Sequence, residues 1–177
     1  MIDPRRYEVK EILRNGLAIS IRALRPDDGE RMVEAFGKLD SGSVYTRFFS
    51  YKKELNERDL ETIRTLDFDT RVALVVTIQD AGKEVIIASS SYSKTSDGKA
   101  EVAFIVEEDY HRLGIAGRLL RHLGHIAVEQ GISVFVAEVL AGNDGMLRVF
   151  RSVGWPIATK TEDGVVQVTL SLADSAV

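Results

Sequence analysis

Ten residues in the second half of the chain combine two glycines with side chains that suit the binding of an anion. They read His111-Arg112-Leu113-Gly114-Ile115-Ala116-Gly117-Arg118-Leu119-Leu120. The glycines at 114 and 117 allow a tight turn that brings backbone amides close to a ligand. A helix that starts at such a turn directs unpaired N–H groups and the positive end of its dipole at the same point. The segment therefore predicts an anion cradle into which a pyrophosphate would fit.

Two common nucleotide-binding patterns are missing from this segment. The phosphate-binding loop of nucleoside-triphosphate enzymes ends in Gly-Lys-Ser/Thr, and neither the lysine nor the hydroxyl is present here. The dinucleotide pattern Gly-x-Gly-x-x-Gly is also absent from it. A glycine pair alone is equally well explained by a tight strand-to-helix turn, so the neighbouring sequence has to decide.

Hydrophobic periodicity predicts the elements that position this segment. The predicted strands cover residues 17–24, 72–78, 85–92, 102–106, 134–140 and 165–172, with a hairpin turn at residues 80–83. The predicted helices run from an acidic turn at residues 25–28 to about residue 39, over residues 56–63, from the glycines to about residue 129, and over residues 146–153. The cradle thus follows a strand and opens a helix.

The composition of the whole chain limits its function class. With 177 residues and 45% hydrophobic content, residues 1–177 are predicted to form a single α/β domain. The absence of cysteine excludes disulfides, thiolate zinc sites and acyl transfer through a cysteine. A net charge of −4 argues against non-specific binding of nucleic acid.

The first ten residues form a charged leading segment without the apolar core of a secretory signal, so we expect a cytoplasmic protein without a membrane span.

Three blocks of sequence, in the expected order, resemble the GNAT N-acetyltransferase superfamily. Residues 100–120 resemble its signature Gln/Arg-x-x-Gly-x-Gly/Ala, with matches at Gly114 and Ala116 and a departure at His111. Residues 138–155 look like the fifth strand and fourth helix of that family. Residues 21–28 and 41–49 look more narrowly like the Pat-type protein lysine acetyltransferases, mainly through Tyr45-x-Arg47-Phe48-Phe49.

The resemblance implies a mixed, mostly antiparallel sheet that splays near the cradle, with helices on both faces. Acetyl-coenzyme A would lie in that splay, its pyrophosphate on the cradle amides and its pantetheine along the preceding strand. Arg112 and Arg118 would pair with phosphate, including the adenosine 3′-phosphate, or else lie on the polar helix face. The predicted cofactor-binding residues are Phe104, Ile105, Val106, His111, Arg112, Leu113, Gly114, Ile115, Ala116, Gly117, Arg118, Leu119, Asn143 and Phe150.

Acetyl transfer to an amine requires a proton acceptor, because lysine has a pKa of about 10.4 in water. Glu101 is the candidate catalytic base. It begins the strand before the cradle and shares a face with Ala103 and Ile105, so we expect a carboxylate among apolar residues. The alternative is a strand-end glutamate paired with a nearby lysine or arginine. The second-choice bases are Glu107, Glu108 and Asp109.

Two residues after the cradle carry roles that the resemblance implies. Asn143 is predicted to cap the following helix, and the asparagine of the family at this position also contacts the pantetheine arm. Many family members place a tyrosine at Phe150 to protonate the departing thiolate, which phenylalanine cannot do. Either the thiolate leaves unassisted or another group, such as Tyr92 or Tyr110, serves; Phe150 itself is predicted to be core.

The sequence does not predict a metal site at its three histidines. His111 remains a hydrogen-bond donor and, if protonated, would favour phosphate. His122 and His125 lie three apart on a predicted helix, but no carboxylate or third histidine completes a ligand set. We therefore predict that no metal is required.

The predicted function is transfer of an acetyl group to a protein lysine. In the resembled family the typical targets are acyl-coenzyme A synthetases. Tyr45, Arg47 and Phe48 would bind the acceptor as a pocket wall, although core packing explains Phe48 or Phe49 equally well. Two rivals remain: acetylation of a small amine, and a non-catalytic acyl-coenzyme A sensor that signals through a partner or regulatory domain.

Overall fold

The structure, a computed structural model, describes residues 3–37, 56–106, 110 and 113–172. Its main feature is one sheet of eight strands in the order β1-β2-β3-β4-β5-β6-β8-β7. The strands are β1 (Glu8–Ile12), β2 (Ala18–Ala23), β3 (Arg71–Asp80), β4 (Lys83–Ser96), β5 (Lys99–Val106), β6 (Val134–Leu140), β7 (Ile157–Glu162) and β8 (Val165–Ser171). The prediction of a single domain over the whole chain stays a prediction.

All neighbouring strands in this sheet are antiparallel except β5 and β6. These two pair in parallel over three positions, of which Glu101 opposite Val136 is the last. Beyond that pair β5 stays joined to β4 as far as Val106, and β6 stays joined to β8 as far as Leu140. The sheet therefore opens into a wedge between β5 and β6, and the predicted mixed, splayed sheet is confirmed.

Helices cover both faces of the sheet. The described residues form four: α1 (Gly29–Gly37), α2 (Glu57–Arg64), α3 (Ile115–Glu129) and α4 (Asp144–Ser152). Leu74 of β3 belongs to the large core that includes Leu119 of α3. Its neighbour Val75 points to the other face and joins a smaller core with Met32 of α1 and Leu60 of α2. No helix in residues 3–37, 56–106 or 113–172 combines the length and apolar character needed to cross a bilayer.

Two strands lie outside the sequence prediction, and both are edge strands. β1 begins inside the predicted charged leading segment and ends two residues beyond it, and β7 follows the glycine and proline after α4. An edge strand has one hydrogen-bonded neighbour, and the side chains of β1 and β7 are exposed or only partly buried. Their sequences, EVKEI and IATKTE, therefore lack the apolar runs that identify the inner strands.

A buried ion pair fixes the start of α1 on the sheet. Arg22 of β2 is 1% exposed and donates two hydrogen bonds, of 2.8 and 2.9 Å, to the carboxylate of Asp28, which is fully buried. The amide of Arg25 donates a third bond to Asp28, at 2.7 Å. Glu84 of β4 also accepts from Arg22, at 3.2 Å. Burial alone would raise the pKa of Asp28, but these hydrogen bonds hold it below its usual value.

We expect Asp28→Asn to lower the free energy of unfolding by roughly 3 kcal/mol, measured by urea denaturation at pH 7. Asparagine keeps the shape of the side chain but leaves the Arg22 guanidinium without its buried counter-charge. The loss should fall at the lower end of the usual range because Glu84 still faces Arg22.

The matched control is Asp27→Asn, because Asp27 is the exposed neighbour and its substitution should change the free energy of unfolding by no more than about 0.5 kcal/mol.

The lowered pKa of Asp28 in the folded state gives a second check. Its charge stabilises the fold above the unfolded pKa of about 3.9, and that contribution disappears as the pH falls through the folded value. The gap between wild type and Asp28→Asn should therefore narrow in acid; equal stability of the two proteins at pH 7 would contradict the assignment.

Candidate active site

The start of α3 has the geometry of an anion cradle. Gly114 stands just before the helix in the left-handed backbone region, at φ +82°, and no side chain caps the helix there. The first intrahelical bond runs from the amide of Arg118 to the carbonyl of Gly114, at 3.1 Å. The amides of Ile115, Ala116 and Gly117 therefore precede the helical hydrogen-bond ladder and point out of the helix start. Such amides and the helix dipole favour a phosphate group.

The two glycines of the cradle have different reasons to be glycine. At Gly114 the left-handed backbone disfavours any side chain, and a β-carbon would lie 3.2 Å from Nη2 of Arg14. Gly117 is the third residue of α3, and a β-carbon there would meet Arg121 and Ser152 at 3.9 Å, an ordinary contact distance. The turn therefore depends on Gly114, and the prediction that Gly117 takes part in it is wrong.

The strand leading to the cradle presents one edge to the wedge. Beyond Glu101, β5 is hydrogen-bonded to β4 and is no longer paired with β6. Phe104 is buried on the large core, whereas Ile105 and Val106 are half-buried. An extended chain that entered the wedge could follow this edge as an added strand, which is how peptide-like ligands bind to sheet edges.

Glu101 lies at the point where β5 and β6 separate. Its side chain is exposed, so the predicted position among buried apolar residues is wrong. Across the sheet it stands opposite Ser93 of β4 and Val136 of β6. The alternative predicted from the sequence, an ion pair of Glu101 with a lysine or arginine, is not formed with any described residue. The carboxylate is thus available at the closed end of the wedge.

The face that carries Glu101 continues onto β4 as a row of small hydroxyl side chains. Ser93, Ser91 and Ser89 stand opposite Glu101, Ala103 and Ile105. Each of the three serines is partly buried, and Ser93 accepts a hydrogen bond of 3.1 Å from Nε of Arg71. Because these side chains are short, they leave space beside Glu101 on the face covered by α1 and α2.

Asn143 and Phe150 take the structural roles that the sequence predicted for them. The side chain of Asn143 caps α4 by accepting a hydrogen bond of 3.1 Å from the amide of Met146. Phe150 is 1% exposed and packs edge-to-face on Phe104, with 5.9 Å between ring centroids. Their predicted contacts with the cofactor stay predictions.

Of the two tyrosines proposed as proton donors, Tyr92 is already engaged. It is fully buried, and its hydroxyl donates a hydrogen bond to Oε1 of Gln130. The amide of the Gln130 side chain in turn donates to the carbonyl of Phe68, at 3.0 Å. Burial raises the pKa of Tyr92 further. Tyr110 is half-buried and packs against the large core, and its predicted role as the acid stays a prediction.

A cavity of about 500 Å³ lies beside the start of α3 and reaches the connection between β1 and β2. Its charged lining comes from distant parts of the sequence: Glu11, Arg14, Arg118, Arg121 and His122. Sequence analysis identified Arg118 here but missed Glu11, Arg14 and Arg121. No local pattern could have found Glu11 and Arg14, because Glu11 lies 107 residues from its partner Arg118. Arg121 lies on α3 with Arg118, and its place in the lining depends on where the β1–β2 connection meets the helix.

Glu11 holds two of the side chains on α3. It accepts a hydrogen bond of 2.6 Å from Nη1 of Arg118 and one of 2.8 Å from Nε2 of His122. His122 also shares a hydrogen bond with the hydroxyl of Tyr7. Burial alone would raise the pKa of Glu11, but the bonds from Arg118 and His122 hold it below its usual value. Arg118 is therefore paired with a carboxylate in this structure rather than free for phosphate.

The described residues include no group of three histidine, aspartate or glutamate side chains placed to hold a metal ion. His122 is bound to Glu11 and Tyr7, and His125 is exposed on α3.

Several predicted site residues lie outside the described part of the chain: Tyr45, Arg47, Phe48, Phe49, Glu107, Glu108, Asp109, His111 and Arg112.

Comparison with known proteins gives the same family from sequence and from structure. The pattern of the acetyltransferase (GNAT) family matches residues 42–155. An acetyltransferase of Pseudomonas aeruginosa is 27% identical over 164 residues, which are 92% of this chain and 88% of that protein. The acetyltransferase Pat of Mycolicibacterium smegmatis is 28% identical over 160 residues, which are 90% of this chain but 47% of Pat. The chain thus spans about half the length of that relative.

Solved structures agree with this result. The GNAT domain of S. lividans PAT superposes with a TM-score of 0.84 at 34% identity, over 93% of this chain and 96% of that one. An acetyltransferase of Salmonella typhimurium, solved with acetyl-CoA, superposes with a TM-score of 0.69 at 17% identity over 90% of this chain and 96% of that one, a likeness of fold alone. Since the family match covers more than half of the chain, and the sheet opens inside the matched region, the chain belongs to the GNAT family of acetyltransferases and takes its acetyl group from acetyl-CoA.

Proposed function

We propose that the chain acetylates the side-chain amine of a lysine on a protein, by direct attack on acetyl-CoA with Glu101 as general base. The observation that carries the proposal is the position of Glu101, exposed at the closed end of the wedge. A lysine presented on the surface of a folded partner can reach an open carboxylate, whereas a fully enclosed one would admit only small amines. The resemblance to the Pat-type protein lysine acetyltransferases implies the same acceptor class.

The fit of acetyl-CoA to the site follows from the backbone. The amides at the start of α3 suit the pyrophosphate, and the edge of β5 beyond Glu101 suits the amide-containing pantetheine arm. This orientation would bring the thioester to the closed end of the wedge, where the Glu101 carboxylate lies. The predicted contributions of His111 and Arg112 belong to this proposal as well.

In the proposed reaction the lysine nitrogen attacks the thioester carbonyl carbon with its lone pair. One proton leaves the nitrogen for the Glu101 carboxylate, directly or through a water molecule. The carbon–sulfur bond then breaks, the sulfur departs with the electron pair, and a proton is taken up to give the thiol. The products are an acetylated lysine and coenzyme A. Because Phe150 cannot donate a proton and Tyr92 is bound to Gln130, the thiolate leaves unassisted or takes its proton from another group, of which Tyr110 is one.

An acyl-coenzyme A synthetase is the proposed protein acceptor, as the resemblance to Pat-type enzymes implies. The row formed by Ser89, Ser91 and Ser93 supports an acceptor approach on the same face as Glu101, since short side chains leave room for the lysine stem. The predicted pocket wall of Tyr45, Arg47 and Phe48 would complete this approach.

We expect acetyl-CoA to raise the melting temperature of the protein. A ligand that binds only the folded state adds about 2.7 kcal/mol at a hundredfold excess over its Kd. Gly114→Val should abolish the shift, because it strains the left-handed turn and forces Arg14 aside. Gly82→Val is the matched control: Gly82 has a similar φ of +81° in the β3–β4 turn, so the protein should lose stability but keep the ligand shift. An unchanged melting temperature of the wild type at millimolar acetyl-CoA would overturn the placement of the cofactor.

We expect Glu101→Gln to lower kcat by roughly 10²-fold or more while the Kd for acetyl-CoA stays nearly constant. Glutamine keeps the size and hydrogen-bonding capacity of the side chain but cannot take up a proton at neutral pH. Steady-state kinetics and calorimetric titration of acetyl-CoA measure the two quantities. Glu129→Gln, which changes an exposed glutamate on α3, should retain full activity. A fully active Glu101→Gln enzyme would move the base to Glu107, Glu108, Asp109 or a chain of water molecules.

We expect an intact acyl-coenzyme A synthetase to have a much higher kcat/KM than a short peptide carrying its active-site lysine, or than spermidine. The reason is that contacts remote from the amine supply binding energy only when a folded surface presents it. Equal or faster turnover of spermidine would reject protein acetylation and leave acetyl transfer standing. Binding of acetyl-CoA without turnover of any of the three would favour the sensor.

A further inference from the structure

Arg14 lies where the turn between β1 and β2 meets the start of α3. The turn is well fixed: the amide of Leu13 donates to the carbonyl of Leu17 and the amide of Gly16 to the carbonyl of Leu13, both at 2.8 Å. Leu13 is 2% exposed and anchors the turn in the large core. The side chain of Arg14 is exposed, and its Nη2 lies 3.2 Å from the place that a β-carbon on Gly114 would occupy.

The described residues that line the cavity beside α3 carry an excess of positive charge. Among them, Arg14, Arg118 and Arg121 stand with one carboxylate, that of Glu11. Glu11 is taken by Arg118 and His122, so it does not neutralise the other two arginines. Arg14 forms no ion pair with a described residue, and Arg121 makes one long contact of 3.5 Å with the carbonyl of Ser152. In a chain with a net charge of −4, this local excess of cations favours an anionic ligand.

The cavity extends along α3 from the helix start and is large enough for a small anionic group. Its lining runs from Gly114 to His122, about two turns of α3, and its volume of about 500 Å³ is typical of a small-molecule site. The backbone amides at the helix start suit a pyrophosphate, which is a diester-like anion that needs no particular side chain. A phosphate monoester carries a charge of nearly −2 at pH 7 and binds best to the paired N–H groups of arginine.

We propose that Arg14, together with Arg121 of α3, binds the adenosine 3′-phosphate of coenzyme A in this cavity. The proposal rests on the acetyl-CoA-dependent function and assigns the cofactor a contact from the far end of the sequence, on the β1–β2 turn. Glu11 holds Arg118 and His122 to β1 and thereby keeps the turn that carries Arg14 next to α3. The arrangement distinguishes coenzyme A from its analogue without the 3′-phosphate.

The test is calorimetric titration of coenzyme A and of 3′-dephospho-coenzyme A into three proteins: wild type, Arg14→Gln and Arg58→Gln. We expect the wild type to bind coenzyme A about tenfold or more tightly than the dephosphorylated analogue, since a charge-assisted hydrogen bond contributes roughly 1.5–3 kcal/mol. Arg14→Gln should lose this preference, because its affinity for coenzyme A should fall while its affinity for 3′-dephospho-coenzyme A stays the same. Arg58→Gln removes an exposed arginine on α2 and should behave as the wild type.

Each other outcome has a definite meaning. Equal affinity of the wild type for both ligands overturns the proposal and leaves acetyl-CoA binding intact. A loss of affinity for both ligands in Arg14→Gln also overturns it, because Arg14 would then act on the pyrophosphate or on the turn. Failure of the wild type to bind either ligand rejects the assigned cofactor itself. Arg14→Lys, which keeps the charge but not the paired N–H groups, should retain only part of the preference.

Discussion

The short parallel pairing between β5 and β6 is the constraint on which the site depends. The two strands are joined at three positions, and each then continues along a different antiparallel neighbour, β4 or β8. Their divergence creates an edge on β5 in the middle of an otherwise continuous sheet. On the large-core face of β5, Phe150 of α4 packs edge-to-face on Phe104, so an apolar contact supports that edge from below. The position of Glu101 follows from the same divergence.

The cofactor helix is held by two unlike interactions. Along its length α3 buries Leu119, Leu120 and Leu123 against the sheet, which fixes the helix by apolar packing. At its first turns, where a ligand must approach, Arg118 and His122 bind Glu11 instead. A polar contact at this end leaves the amides before Arg118 uncovered, whereas a side-chain cap would have occupied them. The apolar packing that holds α3 thus lies along the helix, and the amides at its start are left for a ligand.

The inner elements of the fold could be predicted from the sequence because burial leaves clear apolar patterns: β3 is buried on both faces, and every second side chain of β6 is buried. The edge strands β1 and β7 could not, since their side chains face solvent and carry polar residues. At the site, Gly114 and Asn143 were identifiable because their roles depend on local backbone geometry. The exposure of Glu101 and the proximity of Arg14 to α3 depend on how distant strands meet, and no local pattern contains that information.

The carboxylate of Glu11 also ties the stability of an edge strand to the cofactor helix. β1 has one hydrogen-bonded neighbour in the sheet, so on its own it would open more readily than the strands inside. Its bonds to Arg118 and His122 mean that opening of β1 releases two side chains of α3 at the same time. Opening of β1 and binding of a ligand at the start of α3 are consequently linked equilibria. A ligand that prefers the closed arrangement slows hydrogen exchange of the β1 amides. By the same linkage, loss of β1 reduces the binding free energy of that ligand by an equal amount.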